Sequence, residues 1–596
     1  MALLTAVVCA FIILPIASSA YLGDDLFNSA FRGLLAEHGT SFFETVWATT
    51  IGFFQSTARF MPALYVQLYG VHSVFPNLAA YKAYQVAIFA FDLVLFALFL
   101  RAIRLDAPLI AVSVLMVAAT MQFHGHYDGY LGFSAMNGYL LALMLGSWLF
   151  FASYLRRSGW PQMAGALLLY LVAVLSYEMC YPLSAVHALI AVRLRGGASW
   201  RTAWPFLLIS VAAFTAFGAA RVAFPQQGDA VYALRLDPRW YLPTLINQTT
   251  ASIPLAYLAF FHQKLFSAGT HFGGATPWWL LVSLGAAGGG AAFIALRSVS
   301  ISVRELTIPA IIGGWIWFDP ALLLSAIPRY QREVAPGFGY QFMVFGGFGA
   351  AIVFSCAIAA LIALAKGRAR IAAAAAGAAA FAIIIAASFE TNERTLQNFE
   401  RERAARINIT AALNDGIVAD VPPGARLVAD TQEELMRRIA EIPKNSETLE
   451  NPRMFVREQS GRSLQVRAMS ENPSPLACGQ ATCLPAVRTY ALRDVPFDVR
   501  DGYTVLGRLT KSVRMPDGTM HPLVTNIRIH LQGDRLARSA EDSGLAFAYR
   551  CGAGGDRTNH SLPLLIVPSA VRRGTIIEIK ASCPVDLEAT YIIKNR

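Results

Sequence analysis

Runs of about twenty apolar residues recur through the first two thirds of the chain, the length that carries one helix across a ~30 Å hydrocarbon core. They fall near residues 2–20, 79–100, 106–122, 135–155, 161–178, 180–194, 203–223, 276–296, 307–326, 342–365 and 371–389, about eleven spans in all. Hydrophobic residues make up 55% of the 596 and charged residues only 15%. That balance excludes a soluble enzyme of this size and fits a polytopic α-helical membrane protein.

Basic residues orient the spans, because short loops rich in Lys and Arg stay on the cytoplasmic side. Arg101 and Arg104, Arg156 and Arg157, Arg193 and Arg195, Arg297 and Arg304, then Lys366, Arg368 and Arg370 occupy every second loop. The alternation puts the N-terminus inside and puts 21–78, 225–275, 327–341 and everything after 390 outside. Residues 17–20 resemble a signal-peptide cleavage site, but the first run lacks a basic n-region, so a retained signal anchor is the favoured reading. The net charge of +11 is largely these loop arginines. No basic stripe with interleaved aromatics accompanies it, and no nucleic-acid partner is expected.

Two segments outside the spans are apolar enough to lie in the membrane interface. In the first loop, 26–35 carries apolar residues at helical spacing, as does 42–54, which predicts amphipathic helices in the interface. The stretch 225–275 is too apolar for a solvated loop and too interrupted for a span, and reads as interfacial or re-entrant helices. From 391 the composition changes: a charged segment to 413 predicts a juxtamembrane helix. Short β-rich runs separated by Gly, Pro and Asp turns then predict a mostly-β extracytoplasmic domain to 596. The division is therefore a transmembrane domain over 1–390 and a C-terminal domain over 391–596.

Cys9, Cys180 and Cys356 fall within spans, where a thiol is a small hydrophobe. Cys478, Cys483, Cys551 and Cys583 lie in the part assigned outside. Cys478–Cys483 and Cys551–Cys583 is the favoured pairing among the three that four cysteines allow; a zinc site is the alternative, without Cys-x2-Cys spacing to support it.

Candidate chemistry clusters on the side assigned outside. Arg59, Arg221, Arg235, Arg239, Lys264, Arg329 and Arg332 depart from the positive-inside pattern, and guanidinium groups there match a phosphate by a bidentate fork; anionic headgroups are the plainer partner. Asp24 and Asp25 follow the first span. One can act as general base on a hydroxyl while the other orients the loop or binds a divalent cation, and a helix N-cap is the structural alternative. Glu178 ends a middle span, and His124, His126 and Asp128 share a neighbouring loop, better read as a structural polar cluster than as a metal site. Asp319, inside a span, is a partner for one of the outer arginines. His187 reads as a satisfied helix-interface histidine, and Gly285 and Gly288–Gly290 as helix-packing glycines. No Walker-type or Gly-x-Gly-x-x-Gly signature is present, so any sugar or phosphate substrate comes in lipid-linked form.

Gly23-Asp24-Asp25 after the first span, Thr57-Ala58-Arg59-Phe60-Met61-Pro62 late in the first loop, Ser176-Tyr177-Glu178, and Pro328-Arg329-Tyr330 followed by Gly339-Tyr340 together resemble the GT-C superfamily of integral-membrane glycosyltransferases. The likeness covers roughly 1–390 in layout. It implies a first-loop aspartate, Asp24 or Asp25, as catalytic base or metal ligand, and Arg59, Arg329 and Tyr330 at the donor's phosphate, with Glu178, Asp128, His126 and Lys264 as supporting polar residues. It also implies a polyprenyl-phosphate sugar donor, a glycan, lipid or protein acceptor, an inverting transfer and a bacterial inner-membrane location with a periplasmic active face. Relatives often have Gly-Arg-Phe where this chain has Ala58-Arg59-Phe60, which puts the local loop geometry in question. A transporter or flippase of lipid-linked precursors is the rival class; a membrane anchor for a binding β domain is a third.

Overall fold

The computed structural model describes residues 1–124, 128–223, 235–265, 276–339 and 343–397, a few single residues from 399 to 414, and beyond them 426–429, 450–462, 465–467 and the strands from 489 onward. The chain forms two compact units, Met1–Asn28 with Ser41–Glu400, and Ser29–Thr40 with Arg401–Arg596.

The first region runs through α1 (Ala2–Ile13), α2 (Asp25–Asn28), α3 (Phe31–His38), α4 (Phe42–Thr57) and α5 (Pro62–Val74). A middle group follows as α6 (Leu78–Ala102), α7 (Ala107–Thr120), α8 (Met136–Arg157), α9 (Trp160–Ser176), α10 (Ser184–Arg195) and α11 (Trp204–Ala223). Next come α12 (Pro238–Thr250), α13 (Ala256–Leu265), α14 (Trp278–Ser298), α15 (Val303–Leu324), α16 (Pro328–Glu333), α17 (Met343–Leu364) and α18 (Gly367–Gln397). Among the described residues seven helices are long and apolar enough to cross a membrane, and three shorter apolar ones, Ala2–Ser18, Ala107–Thr120 and Trp160–Ser176, accompany them. The remaining expected segment, 180–194, is the short α10, preceded by a 3-10 turn at Glu178–Cys180.

Small residues set how closely the helices approach, as expected where lipid supplies no hydrophobic drive between them. A Cβ on Gly285 would lie 3.0 Å from the Ala382 carbonyl oxygen and one on Gly289 2.9 Å from that of Ala378. The glycines of α14 thus seat against the alanine-rich face of α18. Gly313 of α15 and Gly349 of α17 meet in the same way, a Cβ on Gly313 falling 2.9 Å from the Gly349 carbonyl. His187 packs inside the bundle, stacked on Phe206 at 3.8 Å between centroids, with Nε2 2.9 Å from Ser147 Oγ.

The arginine-bearing loops gather at one end of the bundle. Arg156 Nη2 donates to the Ala102 carbonyl at 2.8 Å, Arg193 Nε to that of Ile103 at 3.0 Å, and Arg370 to that of Val299. Cations there meet the unsatisfied carbonyls and negative dipole of helix C-termini. Asp106 caps α7 through Leu109 N–H at 3.1 Å and also accepts from Ser300 N–H at 3.2 Å. At the other end Asn77 caps α6, accepting from Ala80 N–H at 2.8 Å, and a Ser41/Glu44 capping box starts α4.

Helix α18 continues past 390 rather than beginning a new helix there. Its charged turn is buried: Glu390 and Arg394 pair at 2.9 Å. Asn392 accepts from Phe123 N–H at 2.8 Å and donates to the Met121 carbonyl at 3.0 Å, tethering the segment after α7.

In the second unit, α3 packs on α19 (Glu450–Ser460). The amphipathic helix expected over 26–35 is therefore broken into α2 and α3, and α3 packs one face on α19. Gly33 explains the fit: a Cβ there would collide with the Met454 carbonyl oxygen, and its N–H approaches Glu458 Oε2 at 3.4 Å. Strands β1 (Arg426–Ala429), β2 (Gln465–Arg467), β3 (Thr489–Arg493), β4 (Tyr503–Arg514), β5 (Met520–His530), β6 (Gly533–Arg538), β7 (Ser543–Cys551), β8 (Arg557–Leu564), β9 (Ile577–Ser582) and β10 (Val585–Tyr591) follow. They order as β2-β1-β3-β4-β5-β9-β6 and β10-β7-β8, with β4 and β5 antiparallel from Thr504↔His530 to Arg514↔Met520.

Candidate active site at the first loop

The two adjacent aspartates have different surroundings. Asp25, the first residue of α2, is fully buried. Its Oδ2 accepts from Tyr81 O–H, and its Oδ1 accepts from the Ser134 N–H and, at 3.3 Å, the Ser134 hydroxyl. Gln85 Nε2 donates to Tyr81 Oη at 2.8 Å behind it. Burial pushes the Asp25 carboxyl up to about 7, against the pull of Lys82, Tyr81 and the Ser134 N–H.

What Asp25 holds is a strained turn. Phe133, Ser134 and Ala135 have φ of 59°, 52° and 55°, three consecutive non-glycine residues in the left-handed region. Each costs roughly 1–2 kcal/mol, so the surroundings must over-determine the turn. They do: besides Asp25, Gln67 Nε2 donates to the Ser134 carbonyl at 2.6 Å, and His72 Nε2 lies 3.0 Å from Ser134 Oγ. Lys82, buried, donates to the Leu131 carbonyl at 2.7 Å just before it.

Asp128 fastens the other end of this loop. Its carboxylate accepts from the N–H groups of His124 at 2.5 Å, Tyr130 at 2.7 Å and Leu131 at 2.7 Å. Burial raises it to about 6 against those bonds, and burial pulls the His124 imidazole down to about 4. Asp128 thereby ties down its own loop; His126 lies outside the described residues.

Asp24 is exposed. Its backbone carbonyl accepts from Phe27 and Asn28 N–H at 3.1 and 2.9 Å. Among the described residues no hydrogen bond or ion pair engages its carboxylate. Surrounding protein raises that carboxyl above the ordinary carboxylate value, and the Arg329 guanidinium pulls it back.

The basic side is built from three elements. Arg59 follows Ala58, the C-cap of α4, whose φ of 57° is the conformation glycine would take. Arg59 is buried and pairs with Glu178 at 2.6 Å, its guanidinium over the Tyr177 ring at 4.9 Å. Burial works against its charge, but Glu178 overrides this and holds the Arg59 pKa above its ordinary value, with Tyr177 and Tyr330 adding to it. Arg329 lies in the first turn of α16, after Pro328, and pairs with Glu333 at 3.0 Å, with Tyr330 buried beside it. Tyr65 of α5 feels the charges of both Arg59 and Asp24, and Arg221 those of Arg59 and Glu178.

Asp24 is therefore an electrostatic neighbour of Arg329, although 305 sequence positions separate them, and Arg59 is one of Glu178 and Tyr330, with Tyr65 feeling both Arg59 and Asp24. Asp319 joins no such cluster: both its oxygens are buried without a hydrogen-bond partner, and it makes no ion pair with an arginine among the described residues. The Lys264 side chain, Tyr340, Cys478, Cys483 and Cys583 lie outside the described residues, as does the side chain of Cys551, so the two pairings fall there too; Cys9, Cys180 and Cys356 are free and buried. No group of three His, Cys, Asp or Glu side chains fit to hold a metal ion occurs among the described residues. Sequence reasoning missed Tyr81, Lys82, Gln67 and Ser134. Lys82 carried a signal, a charge inside an apolar run.

No protein-family model matches the chain, and no curated protein matches it.

Proposed function

We propose that the chain is a membrane glycosyltransferase of GT-C type that moves a sugar from a polyprenyl-phosphate donor to a glycan, lipid or protein acceptor. The observation that carries this reading is the division of labour between the aspartates: Asp25 is committed to the 133–135 turn, while Asp24 is exposed and uncommitted among the described residues, facing the charge of Arg329.

In the reaction the acceptor hydroxyl gives its proton to Asp24 as its oxygen attacks the anomeric carbon. The bond from that carbon to the phosphate oxygen breaks, and polyprenyl phosphate leaves with the electron pair. A single displacement inverts the anomeric centre. Arg329, with Arg59 behind it, stabilises the growing phosphate charge, the kind of preorganised electrostatics that dominates such transfers. Glu178 and Tyr177 hold Arg59 in place. The site faces the periplasm of a bacterial inner membrane, and the C-terminal unit is a mostly-β extracytoplasmic domain that selects the acceptor.

The test is transfer of labelled sugar from a panel of synthetic polyprenyl-phosphate sugars to envelope extracts by the purified protein. Transfer supports the reading. None across the panel shifts it to a transporter of lipid-linked precursors, which the unpartnered buried carboxylates of Asp92 and Asp319 favour.

A further inference from the structure

At the end of the bundle where the loop arginines gather, the helix ends draw several guanidinium groups together. Arg156, near the end of α8, and Arg193, near the end of α10, both reach back to the end of α6. Arg156 takes the Ala102 carbonyl, while Arg193 takes that of Ile103 through Nε and that of Arg104 through Nη2 at 3.3 Å. These three residues are consecutive, so their Cα atoms lie within about 8 Å of one another. Arg195 Nη2 reaches Ser158 Oγ at 3.4 Å, which brings in the turn after α8 and Arg157 beside it.

Arg104 occupies a position where glycine is usual. Its φ is 64°, its N–H donates to the Arg101 carbonyl at 3.1 Å, and the Leu105 N–H donates to that of Leu100 at 3.1 Å. This is a Schellman closure of α6, with arginine at the left-handed residue. Arg104, Arg156, Arg157 and Arg195 are exposed and Arg193 is half-buried.

Among the described residues none of the five makes an ion pair with a carboxylate. The nearby acids have other work. Asp106 caps α7 and accepts from the Ser300 N–H, and Glu305, whose charge reaches Arg193, belongs to the capping box that starts α15. An arginine carries five N–H donors in a planar fork, and the bonds to carbonyls and to Ser158 take one or two from each of Arg156, Arg193 and Arg195. Donors and charge are therefore left for an anion.

The same end carries an apolar rim. Trp160 opens α9 two residues after Ser158, Trp200 lies in the 3-10 turn Gly197–Ala203, and Trp204 opens α11, all three exposed. Ser199 Oγ donates to the Ala191 carbonyl at 2.6 Å and so folds that turn back along α10. Exposed indoles at the ends of apolar helices sit at headgroup level in a bilayer. A free phosphate has no use for such a rim, whereas a phospholipid has both a phosphate and an apolar body to place.

We propose that Arg104, Arg156, Arg157, Arg193 and Arg195, rimmed by the tryptophans, form a docking surface for the phosphate headgroup of an anionic phospholipid in the leaflet at this end of the bundle. Guanidinium forks match phosphate oxygens. The bound headgroup relieves the repulsion among five like charges and ties together the C-terminal ends of α6, α8 and α10. The surface does not rest on the glycosyltransferase reading.

The full-length protein in neutral detergent is titrated with phosphatidylglycerol at constant ionic strength, and bound lipid is read by native mass spectrometry. Arg157→Gln/Arg195→Gln is expected to weaken binding about tenfold. Arg297→Gln/Arg368→Gln, which removes the same charge from other exposed loop positions, is expected to change it less than twofold. Phosphatidylglycerol is expected to raise the wild-type thermal midpoint, and equal concentrations of phosphatidylcholine or inorganic phosphate are not. Equal weakening by the two double variants would mean a diffuse attraction to basic loops and overturn the site. A midpoint raised as much by inorganic phosphate would make it a site for a free anion and overturn the lipid. If Arg157→Gln/Arg195→Gln fails to fold, Arg157→Gln alone, expected to weaken binding about threefold, decides the matter.

Discussion

At the scale of single residues, adjacency in sequence conceals opposite roles for Asp24 and Asp25. A base works deprotonated, and the Asp24 carboxyl lies above its ordinary value. The transfer rate is therefore expected to rise with pH through a limb above the usual carboxylate range and then level off. Measured kcat against pH will show this limb, and a flat profile from pH 4 upward would remove Asp24 as base. Asp25 makes a stability prediction instead. Its folded-state pKa of about 7 exceeds the ordinary aspartate value of 3.8, so its contribution favours folding at low pH and is lost as pH rises between those values. Asp128, raised to about 6, adds the same sign. Thermal midpoints should fall from pH 5 to 8, less steeply in Asp25→Asn, which keeps an acceptor for the Ser134 N–H. Asp25→Ala strands that buried N–H and should cost about 1–3 kcal/mol; an unchanged midpoint would mean the turn at 133–135 is held without it.

At the scale of elements, two close approaches are testable. Ala58 ends α4 in the left-handed conformation. Ala58→Gly relieves roughly 1–2 kcal/mol of backbone strain and gives up about 0.8 kcal/mol of buried methyl. A small rise in thermal midpoint with an intact Arg59–Glu178 pair is expected, and a fall of several degrees would show that the methyl matters more than the turn. Gly33 lets α3 seat on α19. Gly33→Leu should expose the 29–40 segment to amide exchange while leaving the spans protected; unchanged exchange there would contradict the packing.

At the scale of the whole molecule, the apolar runs marked the seven helices long enough to cross a membrane and the three shorter apolar ones, because bilayer thickness imposes a length that composition reveals directly. The alternation of loop arginines likewise anticipated that their side chains would gather at one end, where Arg156, Arg193 and Arg370 bind carbonyls. The site was legible in part. Charges that break the topological pattern, such as Arg59 and Arg329, stood out in the chain. The partners that separate Asp24 from Asp25 did not, because Tyr81 and Ser134 are ordinary residues whose roles arise from contacts 56 and 109 positions away. Left-handed strain at Phe133–Ala135 is equally silent in sequence, having no glycine to announce it. The contact of α3 with α19 was not legible for a related reason: an amphipathic face looks the same whether lipid or another helix covers it.

The most direct measurement is single-turnover sugar transfer with donor binding measured in parallel, for the wild type, Asp24→Asn and Asp25→Asn. Asp24→Asn should lose 10²- to 10⁴-fold in rate, the range typical of a general base, with donor affinity unchanged, while Asp25→Asn keeps a larger fraction of the rate. Transfer by Asp24→Asn at the wild-type rate, or a loss confined to Asp25→Asn, would contradict the assignment of the base.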